Sequence, residues 1–150
     1  MFTAETIVPP LRETIEQDPA VQFAYLFGSL AKGRFRDSSD LDVAVFFDID
    51  ETGTSRTDAA ERALTIEGRL EARFGRPAQV VVLDYAPPEL IQNVLGHGRL
   101  VFSRNERARV SFYVESGRLL YDRAHARAIF ERYRARRIRE GTFGGRSRDG

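Results

Sequence analysis

The chain has 150 residues, 42% of them apolar, and no cysteine, which excludes a wholly disordered chain, a disulfide framework, a thiolate zinc site and a cysteine nucleophile. Its net charge of +1 hides a split: residues 1–75 carry 14 acids against 8 bases, and residues 76–150 carry 8 acids against 15 bases. The split suits an acidic site in the first half and an anion-facing or partner-facing surface in the second, although charge alone favours a solvated arginine-rich helix.

No apolar run approaches the length of a membrane span, and the opening MFTAETIVPP lacks a basic-then-apolar leader pattern; the expectation is a soluble cytoplasmic protein. Residues 3–17 read as a helix with Ile7, Leu11 and Ile15 on one face, interrupted by Pro9 and Pro10 and ended by Asp18-Pro19. VQFAYLF, residues 21–27, is a β-branched and aromatic run of strand length. Gly28-Ser29 follows at once, with Ser29 placed to cap a very short helix that Gly33 ends. LDVAVFF, 41–47, predicts a second strand, with Asp40, Asp42, Ala44 and Phe46 sharing one face. The span 48–57 reads as a polar loop, and 58–74 as a helix with a stripe of Ala59, Ala63, Ile66, Leu70 and Phe74 that Gly75 and Pro77 stop. AQVVVLD, 78–84, predicts a third strand; Pro87 and Pro88 open a helix to about residue 95; RLVF, 99–102, is a short fourth strand. Residues 104–138 read as helical with a break at Ser116-Gly117, and GTFGGRSRDG as a flexible tail. Strands alternating with helices predict a mixed α/β (α+β) domain around one small sheet, residues 1–103, with a C-terminal helical extension over 104–140 and a tail over 141–150.

The chemistry concentrates in GSLAKGRFRDSSDLD, residues 28–42. Two residues apart on a strand, Asp40 and Asp42 project to one side with Cα atoms about 6.5–7 Å apart. Two such carboxylates either retain a proton or hold a cation between them. Oxygen-only donors suit magnesium, which completes its shell with water and substrate phosphate. Taken alone, the Asp-x-Asp also fits a turn with an exposed carboxylate, and Gly28-Ser29 also fits an ordinary helix cap. Together they place a phosphate cradle at the end of one strand and a metal-binding pair at the start of the next, the geometry of phosphoryl or nucleotidyl transfer. Arg34 and Arg36 lie between the two and match phosphate geometry, or are solvated loop arginines.

Gly28-Ser29, ten residues, then Asp40-x-Asp42 resembles the signature of the DNA polymerase β-like nucleotidyltransferases. The fuller pattern, Phe27-Gly28-Ser29, Ala31, Gly33 and Ser39-Asp40-x-Asp42, is similar to the minimal nucleotidyltransferases. LDYAPPELIQNVLGHGRLVF and RNERARVSFYVESGRLLYD extend the likeness, so that it covers about residues 20–125. The resemblance implies the nucleotidyltransferase fold, a mixed sheet flanked by helices. It also implies ATP as substrate with magnesium, catalytic Asp40 and Asp42, and nucleotide contacts from Gly28 and Ser29, to which phosphate geometry adds Arg34 and Arg36 as candidates. It further implies an antitoxin paired with a small helical HEPN toxin, some members transferring AMP to a tyrosine of that partner, in a homo- or hetero-oligomer.

One position departs from the pattern. The family supplies a third carboxylate from the next central strand, and AQVVVLD puts Gln79 there. An amide accepts a hydrogen bond but is no general base. Asp84 has the opposite parity and stands about 16 Å along the strand. The departure leaves three readings: a weak enzyme, an enzyme with another base, or a non-catalytic module that neutralises its partner by binding. A small-molecule nucleotidyltransferase is the least favoured reading, since a substrate-binding domain is hard to find in so short a chain. His97 and His125 are isolated and read as structural or surface residues. The five arginines between Arg132 and Arg139 suit an acidic partner or a solvated helix end, with nucleic acid the least favoured occupant.

Overall fold

The computed structural model describes residues 3–33 and 40–139. The chain divides into two compact units, Met1–Tyr113 and Val114–Gly150. The first contains helices α1 (Ala4–Ile15), α2 (Ile49–Thr52), α3 (Arg56–Phe74) and α4 (Pro88–His97), strands β1 (Phe23–Phe27), β2 (Leu41–Phe46), β3 (Ala78–Val82) and β4 (Arg99–Ser103), and the start of α5 (Glu106–Arg139). The sheet order is β3-β2-β1-β4, with β1 antiparallel to both β2 and β4, and β3 parallel to β2. This is the mixed α+β architecture expected from the sequence.

The two sheet faces carry different side chains because neighbours along a strand point to opposite sides. One face is aliphatic: Leu26, Leu41, Val43, Val45, Val80 and Val82 pack under Ile7, Leu11 and Ile15 of α1 and Ile66 and Leu70 of α3. The other is aromatic: Phe23, Tyr25, Phe27 and Phe46 pack with Ala44, Leu83, Val94 and Ala108. Phe23 stacks on Phe46 at 4.9 Å between ring centroids, and Phe112 closes over both at 5.8 and 4.8 Å. The stripe predicted for α3 is the buried one, and Gly75 ends the helix at φ 66°.

Five local expectations are corrected. Pro9 and Pro10 lie inside α1, which continues past them; burial of Ile7, Leu11 and Ile15 outweighs the lost backbone hydrogen bonds. Ser29–Gly33 is a turn rather than a helix, with Lys32 N–H donating to Gly28 O and Gly33 N–H to Leu30 O, each 3.2 Å. The span 48–57 is not all loop. It contains α2 and the first residues of α3, and α2 is entered through Asp48 in a left-handed conformation at φ 61°. Phe47 N–H and Ile49 N–H both donate to the Asp84 carboxylate at 2.9 Å, a long-range clamp that holds this corner. Accordingly β3 ends at Val82, and Leu83–Tyr85 form a 3₁₀ turn. Finally, α5 is helical through Ser116-Gly117. The predicted tail, 141–150, lies outside the described residues.

The outer edge of β3 is occupied by side chains. Ala78 N–H donates to Glu71 Oε2 (3.1 Å) and Val80 N–H to Glu67 Oε1 (2.9 Å). Four residues along a helix rise about 6.0 Å and two along a parallel strand about 6.6 Å, so glutamates one turn apart on α3 meet alternate amides of the strand. At the other end of the domain, the Arg104 guanidinium donates to the carbonyls of Glu16, Asp18 and Val21 and lies 4.9 Å over the Phe102 ring.

Ile66 is fully buried between α3 and the sheet, whereas Leu64 on the same helix is 64% exposed. In urea unfolding, Ile66→Ala is expected to cost about 2–5 kcal/mol, and Leu64→Ala to change stability by less than about 0.5 kcal/mol.

Candidate active site

The site forms where the end of β1 meets the start of β2. The antiparallel register pairs Phe27 with Asp42, so the turn at Gly28-Ser29 begins beside the aspartate. Gly28 is at φ +80°, a conformation that side-chain-bearing residues rarely adopt. A Cβ there would collide with Asp42 Oδ2 and stand 3.1 Å from its Cγ. Glycine is therefore required twice, for the backbone conformation and for the approach of the carboxylate.

Asp42 lies on the aromatic face of the sheet, half-buried, and Asp40 precedes β2 in the open. Burial, and then the negative charge of Asp40, raise the Asp42 carboxyl above its ordinary pKa. Two like charges held together at the rim of an apolar face are the condition a divalent cation relieves. The donor set, two carboxylates and no soft ligand, fits magnesium, with substrate oxygens and water completing the shell. Among the described residues no group of three or more histidines, aspartates and glutamates converges to hold a metal.

Gln79 is the parallel-strand partner of Asp42. The row Phe27, Asp42, Gln79 thus crosses three neighbouring strands on one face, and Gln79 is exposed. Asp84 is remote from this row, committed to the amides of Phe47 and Ile49. Ser29 is half-buried, and among the described residues its hydroxyl has no hydrogen-bond partner, so the capping role expected for it is not seen. With no helix behind Ser29, the cradle consists of turn amides and a hydroxyl, without a helix dipole.

Arg34 and Arg36, together with Asp37 and Ser39, lie outside the described residues. His97 is exposed in the last turn of α4, and His125 stacks on Tyr121 with ring centroids 5.8 Å apart. Sequence reasoning missed the Glu67 and Glu71 bonds that fix β3, and with it Gln79. Their four-residue spacing on α3 was the available signal, but it also fits any solvated helix face.

Residues 10–107 match the family described as polymerase beta, nucleotidyltransferase, and the chain belongs to that family. No curated protein matches the sequence. Among solved structures, the chain is similar to one described as a toxin–antitoxin with AMP-PNP, at 20% identity and TM-score 0.64, covering 84% of this chain and 97% of that one. It is also similar to a toxin–antitoxin MntA–HepT structure, at 19% identity and TM-score 0.60, covering 86% and 97%. A third is a tri-AMPylated Shewanella oneidensis HEPN toxin in complex with MNT antitoxin, at 19% identity and TM-score 0.56, covering 84% and 98%. At these identities the likeness is one of fold.

Two outcomes follow from the packing of Asp42 on Gly28. Gly28→Ala is expected to lower stability by about 1 kcal/mol or more, read by urea unfolding. The second concerns pH. A raised carboxyl pKa means that the folded chain holds this proton more tightly than the unfolded chain, so ionised Asp42 destabilises the fold at neutral pH. That penalty fades as pH falls through the folded and then the unfolded pKa. Asp42→Asn should therefore raise the melting temperature at pH 7, and the gain should vanish near pH 3.

Proposed function

From that family membership, we propose that the chain is the antitoxin of a HEPN toxin pair and acts in the cytoplasm. In this reading it binds ATP with magnesium and transfers AMP to a tyrosine of its partner. The observation that carries the reading is the approach of the Asp42 carboxylate to the Gly28-Ser29 turn, which gathers anionic oxygen donors and backbone amides at one point. The AMP-PNP in one similar structure and the AMPylated HEPN toxin in another support the same chemistry.

In this reading Asp40 and Asp42 hold the magnesium, which would neutralise charge on the triphosphate. Ser29 and the amides of its turn meet the β- and γ-phosphates, with Arg34 and Arg36 as further phosphate contacts. The acceptor tyrosine oxygen attacks the α-phosphorus, the bond to the bridging oxygen breaks, and pyrophosphate leaves. Ala108 and Phe112 of α5 pack on the domain itself, and the helix beyond Phe112 is the part assigned to the partner. Among the described residues no helix is long and apolar enough to cross a membrane.

A second reading is favoured by Gln79, a neutral amide beside Asp42: a module that covers its partner without transfer. Incubation with ATP labelled in its α-phosphate, magnesium and a HEPN-type partner separates the two. Transfer is expected, reduced by at least about 10²-fold in Asp42→Ala. A tight complex that never acquires label would establish the second reading instead.

A further inference from the structure

From Val114 onward, α5 carries large apolar side chains in the open: Val114, Leu119, Tyr121, Ile129 and Phe130 are 47–67% exposed. Steps of three and four residues bring Val114, Gly117, Tyr121, Ala124 and Ala128 onto one stripe of the helix, and all five are exposed. Successive residues turn by about 100°, which sets Arg127 along one border of this stripe and Arg118 and Arg136 along the other. Arg118 also pairs with Glu115 at 3.6 Å. Gly117 keeps the middle of the stripe low, since a Cβ there would meet no atom within 4 Å. A shallow row of glycine and alanine around a protruding tyrosine, bordered by arginines, is the complement of a second helix.

Charge decides which helix. Residues 114–126 hold two acids and two arginines, whereas residues 127–139 hold one acid and six arginines. Two copies of this chain would set the arginine-rich half against a neutral half or against its own like, and neither pairing supplies the acids it calls for. A lipid surface takes a helix with one broad apolar face. Here Leu119 and Phe130 share the side opposite the stripe.

We infer that this stripe is the docking surface for the partner, which presents to it a helix whose apolar row is bordered by aspartate and glutamate. The inference rests on the antitoxin reading and names the surface by which that partner is held. The small residues let the two helices approach closely, and Tyr121 fills a hollow on the partner. The arginine borders fix the orientation and draw the acidic surface in from solution.

The test measures association and dissociation of the full chain with a purified HEPN-type partner by surface plasmon resonance, between about 50 and 300 mM sodium chloride. Gly117→Leu fits the free chain and is expected to leave its circular dichroism unchanged and its melting temperature unchanged or raised. It should speed dissociation of the complex at least about tenfold. Gly68→Leu, at an exposed glycine of α3 with equal space around it, controls for the added bulk and should leave both rates as they are. Arg127→Glu combined with Arg136→Glu should slow association about tenfold at low salt and flatten its salt dependence. Native rates in both the Gly117 and the arginine variants overturn the inference and leave the antitoxin reading standing. Self-association of the chain alone, seen by light scattering and lost in Gly117→Leu, overturns it in favour of a second copy. Retention by phosphatidylserine vesicles that the arginine reversals abolish overturns it in favour of lipid. No complex with the native chain overturns the inference together with the antitoxin reading.

Discussion

The candidate site depends on one close approach, the Asp42 carboxylate lying against the backbone of Gly28. That approach exists because β1 and β2 are antiparallel and in a register that sets Phe27 against Asp42. Slip the register by one residue and Asp42 would move to the aliphatic face, beneath α1 and α3. The site is therefore a property of sheet pairing before it is a property of any loop. The pairing is held by the burial of two different faces rather than by the acidic residues, which oppose it.

That opposition is informative. Asp42 is held above its ordinary pKa by burial and by Asp40, an arrangement that lowers stability at neutral pH and is made tolerable by the cores around it. On one side lie aliphatic side chains under α1 and α3, and on the other the Phe23, Phe46 and Phe112 rings. A domain that retains two repelling carboxylates at the rim of its aromatic face carries a cost that a retained proton or a bound cation relieves. The donor set suits the cation.

How much of this could be read from the residues depends on the range of the forces involved. The strands were legible because β-branched and aromatic runs such as Phe23–Phe27 and Leu41–Phe46 carry their own signal. The placement of Gln79 beside Asp42 was legible only through the family resemblance, which aligns AQVVVLD with the strand that carries the third carboxylate. Pro9 and Pro10 misled because their cost is local, whereas the burial of Ile7, Leu11 and Ile15 that overrides it is tertiary. The short helix α2 was hidden for the same reason: a carboxylate 35 and 37 residues away holds its entry. Ser29 misled in the other direction, since a good capping residue is followed by a turn too short to need capping.

The two glutamates of α3 that bond Ala78 and Val80 have a consequence beyond fixing β3. A parallel strand at the margin of a sheet offers unpaired amides to any extended peptide that drifts by, including another molecule of the same kind. Here the amides on either side of Gln79 are already bonded by anions that a visiting backbone would have to displace and leave desolvated. The domain can thus leave the Gln79 side chain exposed at its margin and still resist sheet-to-sheet stacking into aggregates.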